Sequence, residues 1–179
     1  MPGLGRGRGV VGPRVRRALQ LLADGRYADA GELFGQLADQ ARDNGNHLRA
    51  ARLALQAGRA FLQVSDADRA MTRTRQSVRQ FVVAGRPGRA VQVLRESTAI
   101  FRSRGWNAQA DALEQDAQAR LAAAGLSLAN VPAETVPQLR GVLPSVCPRC
   151  GGSLKDAEWV DALSAECPYC DSVVRAEMR

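Results

Sequence analysis

The chain has 179 residues, enough for one ordinary domain or one domain with a small appendage, and too few for a large α/β barrel. Its 25 Lys and Arg residues outnumber its 18 Asp and Glu residues, and the resulting net charge of +7 favours acidic partners such as nucleic acid or an acidic protein. A single histidine, His47, argues against multi-histidine metal sites, and the scarcity of aromatic residues leaves a core of Ala, Leu and Val.

The first residues contain the segment Gly5-Arg6-Gly7-Arg8-Gly9, whose glycine density predicts a disordered RG-rich tail over residues 1–13. These arginines either contact the phosphates of a nucleic acid or reflect GC-rich codon usage, since every basic residue of the chain except Lys155 is arginine. No apolar run is long enough for a secretion signal or a membrane span. We therefore expect a cytoplasmic, bacterial protein without a membrane span.

Turn-forming residues recur every twenty positions along the next part of the chain. They are Gly25, Gly45, Ser65, Gly85, Gly105 and Gly125. Five residues after each of the first five turn residues stands an alanine. Sixteen residues after each of the same five turn residues stands an apolar residue, which is phenylalanine in three cases. Between the turns, apolar residues recur at helical spacing. This pattern predicts about six helices of about 16 residues, packed as antiparallel hairpins.

One module carries a familiar turn-and-helix pattern. The segment Gly25-Arg26-Tyr27-Ala28-Asp29-Ala30, followed by Phe34, and the pair Gly58 and Ala70 resemble the tetratricopeptide-like superfamily. The resemblance covers residues 14–125 and implies a mainly α solenoid that binds a protein or peptide on its concave face. Two features differ from the standard repeat: each helix pair spans about 40 residues rather than about 34, and Thr74 replaces a bulky residue. An up-and-down helical bundle also explains the pattern.

A basic stretch lies within these helices. Residues 69–104 contain nine arginines and one acidic residue, Glu96. The candidate basic surface comprises Arg69, Arg73, Arg79, Arg86 and Arg89. Such a surface binds nucleic acid through phosphate contacts, whereas a solvated helix face explains the same charges without a ligand.

The segment of residues 126–146 differs from the helices in containing Pro132, Pro137 and Pro144. Because proline and the residue before it disfavour helix, the segment is predicted to be mostly extended. It also carries eight Leu and Val residues. We therefore expect an apolar linker that lies against the helices or against the C-terminal region.

The four cysteines form two pairs, Cys147 with Cys150 and Cys167 with Cys170, and sixteen residues separate the pairs. Two residues between the cysteines of a pair let both thiolates face one metal ion. Gly151, after the first pair, permits a tight left-handed turn, and an aspartate tolerates that conformation after the second. The spacing predicts one structural Zn²⁺ bound by all four cysteines, and iron also fits a four-sulfur site.

The residues between and after the pairs predict short strands at 158–161, 164–166 and 172–175. Residues 147–176 therefore resemble the short zinc ribbons with rubredoxin-like knuckles. That resemblance implies a small β domain whose folding depends on the metal ion. Trp159 and Tyr169 are candidate contact residues on the ribbon, and packing against the zinc hairpin is the other role open to them.

Three other roles for the cysteines have less support from the sequence. Cys-Pro-Tyr-Cys also occurs as a glutaredoxin active site, but the sequence offers no βα unit of a thioredoxin-type sheet around it. Disulfides are disfavoured in a cytosolic chain. A catalytic zinc site needs an open coordination position, which four cysteine ligands do not leave.

These features together predict a non-enzymatic, zinc-binding adaptor. Its helical repeats bind a protein partner, and its ribbon supplies a second recognition module. The alternative is a nucleic-acid-associated regulator that uses the arginine-rich helix face and the N-terminal tail. The sequence contains no clustered carboxylates, nucleophile–base pair or phosphate-binding loop, which argues against an enzyme.

Overall fold

The computed structural model describes residues 12–131 and 141–177, in which six helices precede a small antiparallel sheet. Neighbouring helices in the sequence pack against each other, and α4 also contacts α6. The mainly α fold and the number of helices are thus confirmed. The helices are α1 Pro13–Ala23, α2 Tyr27–Asp43, α3 His47–Gln63, α4 Ala67–Val83, α5 Pro87–Ser103 and α6 Asn107–Ala123.

The predicted turns are where the helices end. All six turn residues have a positive φ, between 55° at Ser65 and 77° at Gly105. With a left-handed residue at the turn, the N–H of the following residue can donate a hydrogen bond to a backbone carbonyl in the last turn of the preceding helix. At Ser65, the N–H of Asp66 donates to the carbonyl of Phe61 at 3.1 Å, and the same bond recurs one module later from Arg86 to Phe81. The repeat of twenty is therefore the spacing of these helix-ending turns.

The two repeated apolar positions form the centre of the helical core. The alanines five residues after the turns are all at most 1% exposed, and Phe61, Phe81 and Phe101 are equally buried sixteen residues after theirs. Alanine lets neighbouring helices approach closely, and phenylalanine fills a larger volume of the core. The alternation of small and large residues therefore sets how the helices pack.

Helices α3 and α4 approach each other closely at Gly58. A Cβ atom at this position would lie 2.9 Å from Thr74 Oγ1 and 3.3 Å from the carbonyl oxygen of Ala70. The absence of a side chain at Gly58 therefore lets the backbones of the two helices come together. Thr74 is buried at this contact, which explains why a bulkier residue is not found there.

The C-terminal sheet has three short strands, β1 Glu158–Asp161, β2 Ser164–Glu166 and β3 Val173–Arg175, in the order β1-β2-β3. Two isolated bridges, Val142 with Glu177 and Val146 with Ser153, extend this region towards its ends. Residues 141–177 are called the cysteine module below. The predicted hairpin is confirmed, and the third strand begins at Val173 rather than at Ser172.

The predicted apolar linker is only partly within the described residues, since positions 132–140 lie outside them. On either side of that gap, Leu128 packs against the core of α3 to α6, and Leu143 packs against the core that α1 to α3 share with the cysteine module. The predicted RG-rich tail falls almost wholly on residues 1–11, which are also outside the described part. Within the described residues, no helix combines the length and apolar character needed to cross a membrane.

Candidate metal centre

The two cysteine pairs sit on matching tight turns. The carbonyl of Cys147 accepts the N–H of Gly151 at 2.8 Å, and the carbonyl of Cys167 accepts the N–H of Asp171 at 3.1 Å. Gly151 has a φ of 76° and Asp171 a φ of 55°, so both turns contain the expected left-handed residue. In the first turn, the N–H of Gly152 also approaches the sulfur of Cys150, at 3.4 Å. The backbone geometry of the two turns thus directs the sulfur atoms of each pair towards the other pair.

The four sulfur atoms of the predicted site form one cluster and lie within 4.8 Å of one another. The Sγ atoms of Cys147 and Cys170 are 3.8 Å apart, and those of Cys150 and Cys167 are 3.6 Å apart. Each of these close contacts joins one pair to the other. Three of the cysteines are buried and Cys150 is half-buried. This arrangement can hold one metal ion between the two turns.

The environment of the thiols is uneven. Burial raises the pKa of Cys150 to about 12 and also raises the pKa of Cys167. Burial acts in the same direction on Cys147, but hydrogen bonds from Ser172 and from the backbone lower the pKa of that thiol to about 7. The Cys150 and Cys167 thiols therefore resist ionisation in the absence of a compensating cation, and a bound cation would supply that compensation.

The cysteine module is held on the helical body by Arg52, a residue of α3 that is only 3% exposed. Its Nη2 donates to Glu158 Oε2 and to Glu166 Oε2, each at 2.6 Å. Its Nη1 donates to Asp171 Oδ1 at 3.0 Å. Arg52, Glu158, Glu166 and Asp171 are called the Arg52 cluster below. One buried cation of the body thus engages three carboxylates of the module.

The Arg52 cluster perturbs its own members. Burial acts to lower the pKa of Arg52, but Glu158 and Glu166 outweigh burial and raise it above its ordinary value. Burial acts to raise the pKa of Glu158, but Arg52, Arg89 and Arg86 outweigh burial and lower it. Both groups are therefore more firmly charged than they would be in water, and their attraction holds the module in place.

Further contacts flank the Arg52 cluster along one stripe of α3. Arg49 donates to Asp171 at 2.6 Å, and Arg59 binds Asp156. Tyr169, which is 7% exposed, places its hydroxyl 3.3 Å from Gln56 Oε1. Its ring also lies against that of Phe34 on α2, with 6.0 Å between the centroids. The second cysteine turn therefore lies directly on the helical body.

The two ribbon residues singled out from the sequence have different positions. Tyr169 is part of the contact between module and body, as just described. Trp159 lies on β1, is half-buried and pairs with Ala165 of β2.

The five arginines of the candidate basic surface have different surroundings. Arg69 pairs with Glu32 and Asp66. Arg73 pairs with Asp39. The remaining three are Arg79, which is exposed, and Arg86 and Arg89, each 3.8 Å from Glu158 of the cysteine module.

Sequence reasoning missed Arg52 and its partners. One signal was present: Arg52 interrupts the otherwise apolar run Ala50-Ala51 and Leu53-Ala54-Leu55. A second signal was the excess of acidic over basic residues in positions 126–179, seven against five, next to a basic helical body. An arginine inside a buried stripe requires carboxylate partners. Neither signal says which carboxylates those are.

Comparison of this chain with models of known protein families, with curated proteins and with solved structures finds no match. The four cysteines, the Arg52 cluster and the helical body are therefore the features of this chain that point to a function.

Proposed function

We propose that this protein is a non-enzymatic, zinc-binding adaptor. Its six-helix body is a tetratricopeptide-like array that binds a protein partner, and its cysteine module is a zinc ribbon that serves as a second recognition element. The observation that carries the proposal is the cluster of four cysteine sulfurs in a module that is fastened to α3 by Arg52.

The sulfur separations fit a tetrahedral metal site of the kind that zinc forms. With zinc–sulfur bonds of about 2.3 Å, a tetrahedral site has sulfur–sulfur edges of about 3.8 Å. The two sulfur–sulfur distances that join one cysteine pair to the other, 3.8 Å and 3.6 Å, agree with that value. Four cysteines complete the coordination shell, so the ion would have a structural role. It would supply the folding energy that a β region of this size lacks.

The form of the body supports an adaptor. Helices α2 to α6 have 17 residues each and recur every twenty residues, and each packs against its neighbours in the sequence. Such regular packing is typical of arrays that bind other proteins along a lateral surface. The close approach at Gly58 and Ala70 is the small-residue contact on which the tetratricopeptide-like resemblance partly depends. The charged cluster around Arg52 joins two parts of the chain, which is a structural use rather than a catalytic one.

The alternative, a nucleic-acid-associated regulator, has less support. Four of the five arginines proposed for a basic surface lie within 4.0 Å of carboxylates in the described residues. Phosphates would have to compete with those carboxylates. Arg79, which is exposed, is the exception.

The experiment is capture of a complex by the tagged, full-length, zinc-loaded protein expressed at native level, with and without nuclease treatment. We expect a protein that is recovered at a fixed ratio, resists nuclease, and forms the same complex from purified components. Recovery of nucleic acid alone, or loss of every bound protein on nuclease treatment, would overturn the adaptor and favour the regulator.

A further inference from the structure

Helices α2, α4 and α6 contribute to a groove that the cysteine module does not cover. Its first part is a pocket of about 380 Å³ between α2 and α4, and its second is a pocket of about 330 Å³ between α4 and α6. The two parts share Arg79 and Gln80 and therefore lie next to each other. This surface, lined by α4 from Thr72 to Val83 with parts of α2 and α6, is called the α4 groove below.

The first part of the α4 groove is basic. Four arginines line it, and they are Arg42, Arg73, Arg75 and Arg79. The one carboxylate in that lining belongs to Asp39, and it already accepts hydrogen bonds from Arg42, Arg73 and Gln76. Within the described residues, Arg75 and Arg79 form no ion pair, and the Nε of Arg75 is buried without a hydrogen-bond partner. The groove therefore has positive charge that its own acidic residue does not neutralise.

The second part of the groove is mainly apolar. Val82, Val83, Ala123 and Ala124 line it together with Arg120. Val83 is 60% exposed, one of the most exposed large apolar side chains in the described residues. Exposed apolar surface beside unneutralised positive charge is typical of a binding site for a partner with matching features.

We propose that the α4 groove binds an acidic segment of a partner protein, with carboxylates at Arg75 and Arg79 and an apolar side chain at Val83. This inference rests on the adaptor function proposed above and names the surface and the chemistry of the partner. A polypeptide fits better than a single-stranded nucleic acid because no aromatic ring lines the groove for base stacking. Extended acidic segments offer both carboxylates and apolar side chains along one strand.

The test is fluorescence anisotropy with full-length, zinc-loaded protein. The probe is a fluorescein-labelled peptide in which glutamate alternates with leucine and valine. A peptide with glutamine in place of glutamate and a labelled oligothymidylate serve as comparison ligands. Arg79→Glu and Val83→Ser alter the two parts of the groove at exposed positions, and Arg95→Glu makes the same charge change at an exposed position of α5.

We expect the glutamate peptide to bind most tightly of the three ligands and to bind less tightly as salt is raised. Arg79→Glu should weaken it about tenfold, and Arg95→Glu by less than about twofold. Val83→Ser should weaken it measurably. No binding of the glutamate peptide, equal weakening by Arg79→Glu and Arg95→Glu, or tighter binding of oligothymidylate would overturn the assignment.

The complex recovered in the capture experiment distinguishes a failure of this proposal from a failure of the adaptor function. If that complex forms equally well with wild-type protein and with Arg79→Glu, the adaptor function stands and the groove assignment is wrong. If wild-type protein forms no complex with any protein, the adaptor function itself is wrong.

Discussion

Arg52 and Asp171 are 119 residues apart in the sequence, yet Arg52 Nη1 donates to Asp171 Oδ1 at 3.0 Å. Asp171 is also the left-handed residue of the turn that carries Cys167 and Cys170. Glycine would adopt that conformation at lower cost. An aspartate instead provides a carboxylate that reaches both Arg49 and Arg52. One residue thus shapes the cysteine turn and fastens it to the helices.

This double role means that the metal site and the attachment of the cysteine module depend on each other. The second turn also carries Tyr169, which packs on Phe34, and Glu166 stands just before Cys167 and binds Arg52. A disordered turn would withdraw Glu166, Tyr169 and Asp171 from the helical body. We therefore expect metal removal to loosen the module and to expose the stripe of α3 that it covers.

Replacing Arg52 should detach the module without removing the metal ligands. Arg52→Met leaves the buried Glu158 without its main cation, and loss of one partner from a buried ion pair costs about 3–5 kcal/mol. We expect faster hydrogen exchange in β1 to β3 and a lower midpoint in denaturant. Arg95→Met, at an exposed position, is the control. Equal midpoints for the two variants would contradict the role of Arg52.

Substitutions at Asp171 should separate the two roles of that residue. Asp171→Asn and Asp171→Gly keep access to the left-handed conformation but remove the charge, so zinc content should remain and α3 should lose exchange protection. Asp171→Val also disfavours the turn and should weaken zinc binding, measured by competition with a chelator. If the Asn and Gly variants protect α3 as the wild type does, the carboxylate does not fasten the module.

The Arg52–Glu158 pair predicts a particular dependence on pH. The folded-state pKa of Glu158 lies below its ordinary value of 4.5, so the stabilisation from its charge is fully present above that pH and is lost as pH falls through the lowered pKa. Glu158→Gln lacks this charge at every pH. Its melting temperature should be below that of the wild type at pH 7, and the difference should shrink below about pH 4.5. A difference that is constant across this range would contradict the ionic contribution of Glu158.

The contact between α3 and α4 at Gly58 should not tolerate a side chain. A methyl group there would lie 2.9 Å from Thr74 Oγ1, and overpacking of this kind costs about 1–3 kcal/mol. We expect Gly58→Ala to lower the melting temperature, and the double variant with Thr74→Ala to recover part of the loss. No loss in the single variant would show that the helices are not in close contact here, and no recovery in the double variant would show that Thr74 is not the obstacle to a side chain at position 58.

Local sequence signals were sufficient for the helices and the turns. A left-handed residue every twenty positions ends each helix through bonds within five residues of it, so the sequence alone locates these turns. Ser65 illustrates this: it is not glycine, but the period predicts its turn, and its φ is 55°. The cysteine spacing and strand patterns are local in the same sense, and they predicted the clustering of four sulfurs.

Contacts between distant parts of the chain could not be predicted in this way. The three carboxylates of the Arg52 cluster lie 106 to 119 residues from Arg52. The sequence contains eighteen acidic residues, and charge alone does not select three of them. The same limit applies to Arg86 and Arg89, which the sequence grouped with a basic helix face and the structure turns towards Glu158.

The most direct test of the central claim is the metal content of the purified, untagged protein, combined with thiol titration and hydrogen exchange before and after chelation. We predict one zinc per chain, four thiols that react only after chelation, and a simultaneous loss of exchange protection along the Arg49–Arg59 stripe of α3. Metal-free protein in which Cys167 and Cys170 form and break a disulfide readily, with α3 protected throughout, would contradict the zinc ribbon and its coupling to the helical body.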